Sequence, residues 1–373
     1  MAQKKRTERI EILDGMRVLA IFMVMLFHYY SAFGASYYQY AFKPPQLFNE
    51  GYLGVQLFFV ISGFVITLTL TKCSSFVEFM KKRFLRLIPA MLICSLLTFS
   101  LLRLVDSNNL FPVSKSFANL LISNTFIPPA LPNTFFGVKL AYIDGAYWSL
   151  ACELQFYLLA GLFYFFSPKS FLRNYAVFAI LSAVLYAIIN AAMGYDFFSP
   201  LIGTKVFLEI RTLSTDFLVF HHHLWFLMGI VINKLYFQKY NQPLLLLLLA
   251  IVVLQIVFLK TLYPILFTLL VLLLFLLFLY KPQLLAFLAN KVLVKVGIAS
   301  YSIYLIHQYV GVVVINRLSP YFGSWNFVIP MLLMLGLSFF GVMSYKYLEY
   351  PLGKQLHKLV FKQMAKVPVG VEV

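Results

Sequence analysis

From residue 16 to residue 347 the sequence is a succession of apolar stretches, each near the roughly 20 residues that a helix needs to cross a bilayer. Ten stand out: about 16–33, 52–71, 84–103, 146–166, 175–193, 218–237, 243–259, 262–280, 297–315 and 326–347. A soluble fold of 373 residues has too little interior to hide that much apolar surface. Hydrophobic residues make up 62% of the chain and charged residues 12%, where an ordinary soluble domain is nearer half and a quarter. Forty Phe and twenty-four Tyr exclude a disordered chain. Stretches of this length exclude an outer-membrane barrel, whose strands alternate over about ten residues. The expected fold is all-α: a polytopic membrane protein with about ten transmembrane helices, one domain over 1–373, and a short cytoplasmic tail over 348–373.

The formal charge is +17, from 30 Lys and Arg against 13 Asp and Glu. In a soluble protein that excess would suggest nucleic acid. Here it reads as flanking charge on the cytoplasmic side of membrane helices, and no nucleic-acid partner is expected. Ten spans place both ends on one side. If that side is the cytoplasm, every inner connection carries Lys or Arg, from Lys4, Lys5, Arg6 and Arg9 to Lys346, Lys354, Lys358, Lys362 and Lys366. The outer side holds the sparser set Lys43, Arg103, Lys115, Lys139, Lys205, Arg211, Lys260 and Arg317. Both termini are therefore expected in the cytoplasm, and the protein in the cytoplasmic (inner) membrane. The basic N-terminus lacks the small-residue cleavage pattern of a signal peptide. Cys73, Cys94 and Cys152 fit neither disulfide nor metal-ligand spacing. Two outer connections are long, about 104–145 and 194–217, and either roof a cavity or merely connect.

An ionisable side chain inside a bilayer is costly, so each one is a functional candidate. His28, Glu153, His307 and the run His221, His222, His223 make up that set. At about 1.5 Å per residue, His28 lies about 8 Å, Glu153 about 10 Å and His307 about 12 Å from the outer end of its span. Three helices thus place an ionisable group in one layer of the outer half of the membrane. A His beside a carboxylate is the usual general base, because the carboxylate orients the ring and stabilises the imidazolium. A lone membrane His also serves simply to bond a neighbouring helix, but three at one depth favour chemistry. Consecutive residues of a helix point about 100° apart, so the three adjacent histidines do not ligate one ion, and no metal is expected.

Arg83 and Arg86 share a helix face at a basic helix end. The pair suits bidentate bonding to a polyphosphate, whereas plain flanking charge needs only the charge, and both readings stand on spacing alone. Asp14 and Arg17 open the first helix, where an acid suits the helix dipole. Ser62 and Gly63 are small residues in an apolar helix, a pattern of close helix packing. No G-x-S-x-G and no phosphate-binding P-loop occurs, so neither a serine hydrolase nor ATP hydrolysis is supported.

Seven segments together resemble the acyltransferase family 3 proteins, multi-span membrane enzymes that O-acylate surface sugars and related acceptors. They are Leu13-Asp14-Gly15-Met16-Arg17 followed by His28; Gly54-Val55-Gln56 through Ser62-Gly63-Phe64; Arg83-Phe84-Leu85-Arg86; Trp148-Ser149-Leu150 with Glu153 and Tyr157; His223-Leu224-Trp225-Phe226-Leu227; Tyr301-Ser302-Ile303-Tyr304-Leu305-Ile306-His307; and Glu349 with Pro351. Each is weak alone, but seven in family order over residues 13–351 are specific.

The resemblance implies transfer of an acyl group, usually acetyl, from cytoplasmic acetyl-CoA or another acyl-CoA to a hydroxyl of a carbohydrate or glycoconjugate. The acyl-CoA is a substrate, and no permanently bound cofactor is expected. By resemblance, His28 is the catalytic histidine, and Arg83 and Arg86 serve the acyl donor. Asp14 and Glu153 join the catalytic set, and Arg17 the donor set. His223, His307, Trp148, Ser62 and Glu349 stand as acceptor-side or supporting residues. Many members carry Asp where this chain has Gln56, and a second Glu where it has Leu154, so neither acid is needed here. An appended esterase-like domain is not matched, which implies the stand-alone type. Direct attack, with His28 taking the acceptor proton, and an acyl-histidine intermediate are both open. The rival from another class is a transporter or flippase of a lipid-linked sugar, which would share the helices and buried polar groups but consume no thioester.

Overall fold

The structure is a computed structural model that describes residues 10–41, 43–194, 222–259 and 261–364. His221, the second long outer connection and the basic residues at both extreme ends lie outside the described residues. Among the described residues there are helices and connecting turns and no strand, which makes this an all-α membrane protein.

The long helices are α1 (Glu11–Leu26), α3 (Gly54–Leu70), α4 (Phe76–Val105), α7 (Trp148–Phe166), α8 (Phe171–Gly194), α9 (His223–Gln238), α10 (Gln242–Phe258), α11 (Leu262–Tyr280), α12 (Lys291–Phe322), α13 (Val328–Ser344) and α14 (Tyr350–Met364). Short helices α2 (Gly34–Tyr37), α5 (Phe117–Ser123) and α6 (Ala130–Phe136) lie in the connections. Side chains fix several helix starts. Ser75 Oγ accepts from the Glu78 N–H, while the Glu78 carboxylate accepts from Ser74 at 2.8 and 2.6 Å, a reciprocal cap for α4. Asn241 and Asn290 cap α10 and α12 by one bond each, their side-chain oxygens accepting from the Leu244 and Val292 N–H groups.

Each of the ten expected stretches coincides with a helix, apart from residues 218–221 of the sixth, which lie outside the described residues. Among the described residues, eight helical runs are long and apolar enough to cross a membrane, and α10 is apolar but shorter. The last of the eight runs past the expected end at 347. A π turn, Tyr345–Glu349, joins α13 to α14, so the segment expected as a short tail begins as a helix that runs to Met364. The first outer connection proves to be ordered by its own polar side chains. The Asp106 carboxylate accepts from the Leu110 and Phe111 N–H groups, and Asn119 and Asn133 bond backbone across the loop. It lines none of the three cavities described below.

α12 lies at the centre and packs against α1, α4 and α13, while α3 packs most closely on α9. That second crossing depends on two glycines: a Cβ on Gly63 would run into the Phe226 carbonyl, and a Cβ on Gly229 into the Val60 carbonyl. Lipid tails are as apolar as leucine, so close backbone approach is what holds such helices together. Asn233 strengthens the pair by donating to the Phe64 carbonyl at 3.1 Å. At the periphery, α10 and α11 turn Leu246, Leu249, Leu270 and Leu273 outward, as a lipid-facing surface requires.

Candidate active site

α1, α3, α7 and α12 surround a line of three cavities that share lining residues end to end. The first, of about 440 Å³, is a mouth formed where α1 begins, α3 ends and α4 enters the bundle; Asp14, Arg17, Lys72, Arg86 and Tyr345 line it. The second, of about 80 Å³, shares Arg17, Val65 and Arg86 with the mouth. Beyond those two arginines its walls are apolar except for a band of hydroxyls, from Ser62, Ser149, Tyr157, Ser300, Tyr301 and Tyr304, around the Glu153 carboxylate. The third, a chamber of about 320 Å³ at the opposite end of the bundle, shares Val55 and Tyr304 with the second. It is lined by His28, Tyr52, Gln56, Trp148, His222 and Gln308. One end of the line is therefore cationic and the other is polar, aromatic and neutral.

His28 sits in a π turn, Phe27–Ala32, that continues α1. Such widened turns are rare and frequent at functional sites, because they re-aim a side chain within a helix. Its ring Nδ1 lies 2.8 Å from the Val24 carbonyl oxygen and 3.1 Å from Nε2 of His307. Nδ1 of His307 lies 2.7 Å from the Tyr304 carbonyl oxygen, and His307 is wholly buried. The stretch of α12 carrying His307 is held from two sides. Tyr29 donates its hydroxyl to the His307 carbonyl at 2.8 Å, and Asp144 Oδ2 accepts from the Tyr309 N–H at 2.8 Å. Gly311 makes room for the Tyr29 ring, whose hydroxyl a Cβ there would strike.

The depth estimate thus brings two of its three groups together and separates the third. His28 and His307 touch, but Glu153 is bonded elsewhere: its Oε1 accepts from Ser62 Oγ at 2.7 Å and from Tyr157 at 2.5 Å. The ring nitrogen of His28 that was expected to face a carboxylate faces an imidazole. Glu153 lies in α7 within the middle cavity, where equal depth did not mean a shared helix face.

The two arginines of the Arg-Phe-Leu-Arg segment also part company. Arg86 lines the mouth and the middle cavity. Arg83 is only 9% exposed and lines none of the three cavities, with its guanidinium over the rings of Phe79 and Tyr157, 6.0 Å from each. The cations that accompany Arg86 come from other parts of the chain. They are Arg17 of α1, whose Nη1 is 2.6 Å from Asp14 Oδ1, and Lys72, in the turn that follows α3.

The remaining candidates divide cleanly. Trp148 is 39% exposed and lines the chamber. Ser62 serves Glu153, while Gly63 beside it serves helix packing. His223 is buried with its Nδ1 3.0 Å from the Tyr175 hydroxyl, away from the chamber, whereas its neighbour His222 lines it. The Glu349 carboxylate accepts from Ser302 at 2.6 Å and Ser344 at 2.7 Å, which ties the last helices to α12 rather than to any cavity. Among the described residues no group of three His, Cys, Asp or Glu side chains is placed to hold a metal ion.

Two residues of the site carried no sequence signal. Gln308 follows His307 and reads as an ordinary polar neighbour, yet it faces the chamber. Asp144 precedes an apolar span and reads as a helix cap, which it also is, accepting from the Ala146 N–H at 2.9 Å. It is fully buried, and burial pushes its carboxyl up to about 7 although the Ala146 and Tyr309 N–H groups draw it down.

Residues 10–346 match the acyltransferase domain of acyltransferase family 3. Among curated proteins, the O-acetyl transferase of Shigella phage Sf6 is 30% identical over 179 residues, 46% of this chain and 51% of the phage protein. O-acetyltransferase OatA of Staphylococcus aureus is 30% identical over 195 residues, 49% of this chain and 30% of OatA. The putative membrane-bound transacylase BcsY of Komagataeibacter xylinus is 29% identical over 182 residues, 46% of this chain and 41% of BcsY. The matched region thus spans about half of the phage protein and less of the other two. No solved structure matches the chain. The family match runs from the mouth residues of α1 to the π turn after α13, so it takes in all three cavities, and the chain belongs to acyltransferase family 3.

Proposed function

We propose that the protein is an O-acyltransferase that moves an acyl group, acetyl in the first instance, from acyl-CoA to a hydroxyl of a carbohydrate or glycoconjugate. The observation that carries this reading is the line of cavities with three cations at one end and an imidazole at the other. Acyl-CoA has the same polarity, with phosphates at one end, a long arm with two amides between, and a thioester at the tip. Arg17, Lys72 and Arg86 neutralise the phosphates, and the two guanidiniums supply bidentate bonds. Glu153 and the surrounding hydroxyls offer partners to the amides of the arm, which would otherwise enter an apolar passage unpaired. The thioester then reaches the neck at Val55 and Tyr304.

The acceptor enters the chamber from the other end, where Trp148 offers an aromatic face and Gln56 and Gln308 offer amides. His28 Nε2 takes the proton of the acceptor hydroxyl as the oxygen attacks the thioester carbonyl carbon. The C–O bond forms and the C–S bond breaks. The CoA thiolate leaves with the proton returned from the imidazolium, so His28 ends as it began. The cationic mouth faces the cytoplasm, where acyl-CoA is found, and the chamber faces the far side; the excess of basic residues at the mouth end accords with that orientation.

The test uses purified protein in lipid discs, supplied with acetyl-CoA and with polysaccharide extracted from the producing cell's envelope. Release of free CoA thiol that depends on both additions is expected. Transport of a lipid-linked sugar without thiol release would replace this reading with that of a flippase.

A further inference from the structure

The hydrogen positions at His28 follow from its neighbours. The Tyr304 carbonyl oxygen, 2.7 Å from Nδ1 of His307, can only accept, so that nitrogen carries the hydrogen. A neutral imidazole has one N–H, so Nε2 of His307 presents a lone pair, and it faces Nδ1 of His28 at 3.1 Å. The Val24 carbonyl oxygen, 2.8 Å from the same Nδ1, is a second acceptor. Two acceptors converge on one nitrogen, so the hydrogen of His28 resides on Nδ1. The opposite tautomer would set a lone pair against both of them. Nε2 of His28 is left with its lone pair and with no hydrogen bond among the described residues.

We propose that His307 is the positioning residue of His28, doing with a neutral ring what a carboxylate does in other general bases. Its Nε2 keeps the hydrogen on His28 Nδ1, so that Nε2 of His28 stays available to the acceptor hydroxyl. When His28 takes that proton, its Nδ1–H bond to His307 strengthens and the imidazolium is stabilised. A neutral partner avoids the cost of burying a carboxylate in the membrane. His307 is wholly buried, so it cannot itself meet the substrate. The clamps from Tyr29 and Asp144 on either side of it fix the backbone that carries the ring. This inference rests on the reading of His28 as the base.

The test compares His307→Leu, which removes the acceptor, with His307→Gln, which restores one. Protein is labelled with ¹⁵N-histidine, reconstituted in lipid and assigned by difference from His28→Gln. Wild-type His28 is expected as a single Nδ1–H tautomer, and the Leu variant as a mixture. Cells carrying His307→Leu at matched abundance are expected to lose about 10²-fold in glycan acylation rate, within the range for a misplaced general base. Labelled acetyl-CoA binding should be unchanged, and His307→Gln should recover most of the rate. A wild-type His28 protonated on Nε2 overturns the proposal, and so does a Leu variant with full rate. If the Leu variant does not accumulate, the wild-type tautomer and the Gln variant still decide. Activity in His28→Gln would sink the reading of His28 as base, whereas an inactive His28→Gln beside a fully active His307→Leu would sink the role of His307 alone.

Discussion

Nε2 of His307 on α12 lies 3.1 Å from Nδ1 of His28 at the end of α1, a contact between residues 279 positions apart. It fixes the direction in which His28 can act, because a ring bonded through Nδ1 can take a proton only through Nε2. In the proposed reaction, proton transfer therefore takes place in the chamber that His28 lines, on the far side of the neck at Val55 and Tyr304 from the cationic mouth.

At the mouth, Arg86→Lys keeps the charge and loses the fork. We expect it to weaken labelled acetyl-CoA binding severalfold, and Arg17→Lys to act in the same direction. Arg83→Lys should leave donor affinity unchanged in whatever protein folds, because Arg83 faces Phe79 and Tyr157 and not the cavity. Equal losses of affinity at Arg83 and Arg86 would mean that the donor reaches a surface other than this mouth.

The α3–α9 crossing should be intolerant of any side chain. Gly229→Ala sets a Cβ against the Val60 carbonyl, which is backbone and cannot swing aside. Overpacking of this kind costs about 1–3 kcal/mol or more. A lowered melting temperature in detergent is the expected result, and Gly336→Ala, with open space around it, is the control. Equal melting temperatures for the two variants would contradict the close crossing.

Asp144 offers a graded test. With its carboxyl pushed up to about 7, it stands near the edge of protonation at neutral pH, and Asn resembles the protonated form. Asp144→Asn should keep one of the two backbone bonds and melt slightly below wild type. Asp144→Ala abandons the buried N–H of Tyr309 and should cost about 1–3 kcal/mol. Thermal unfolding followed by intrinsic fluorescence ranks the three, and an Ala variant as stable as Asn would remove the clamp from α12.

The orientation is open to a direct check. Reporter fusions after residue 125 and after residue 240 should read outside and inside respectively. The reverse would put the cationic mouth on the side without acyl-CoA.

The helices were legible because a bilayer leaves the chain so little choice. An apolar run near twenty residues long with satisfied backbone is a helix or nothing, and each marked run became one. His28 was legible for a related reason, the expense of an ionisable group at that depth. Its partner was only half legible: counting residues gives depth along a helix but no azimuth, so His307 and Glu153 looked equivalent. Only the packing of α12 on α1 separates them. Lys72 and Arg17 belong to the ends of different helices, and nothing in their spacing says that the ends meet around Arg86. Asp144 was hidden by being a good cap, since its second oxygen acts on a helix that begins 147 residues later.

The central claim is that this protein transfers an acyl group with His28 as the base. The most direct measurement is mass spectrometry of surface glycans from cells with the wild-type protein, with none, and with His28→Gln at matched abundance in the membrane. Gln keeps hydrogen bonding but accepts no proton at neutral pH. Ester-linked acetyl groups should be present with wild type, absent without the protein, and reduced by about 10²–10⁴-fold in rate with His28→Gln. Acetylation by His28→Gln at close to the wild-type rate would show that His28 only holds α1 to α12, and acyl content unchanged without the protein would contradict the transfer itself.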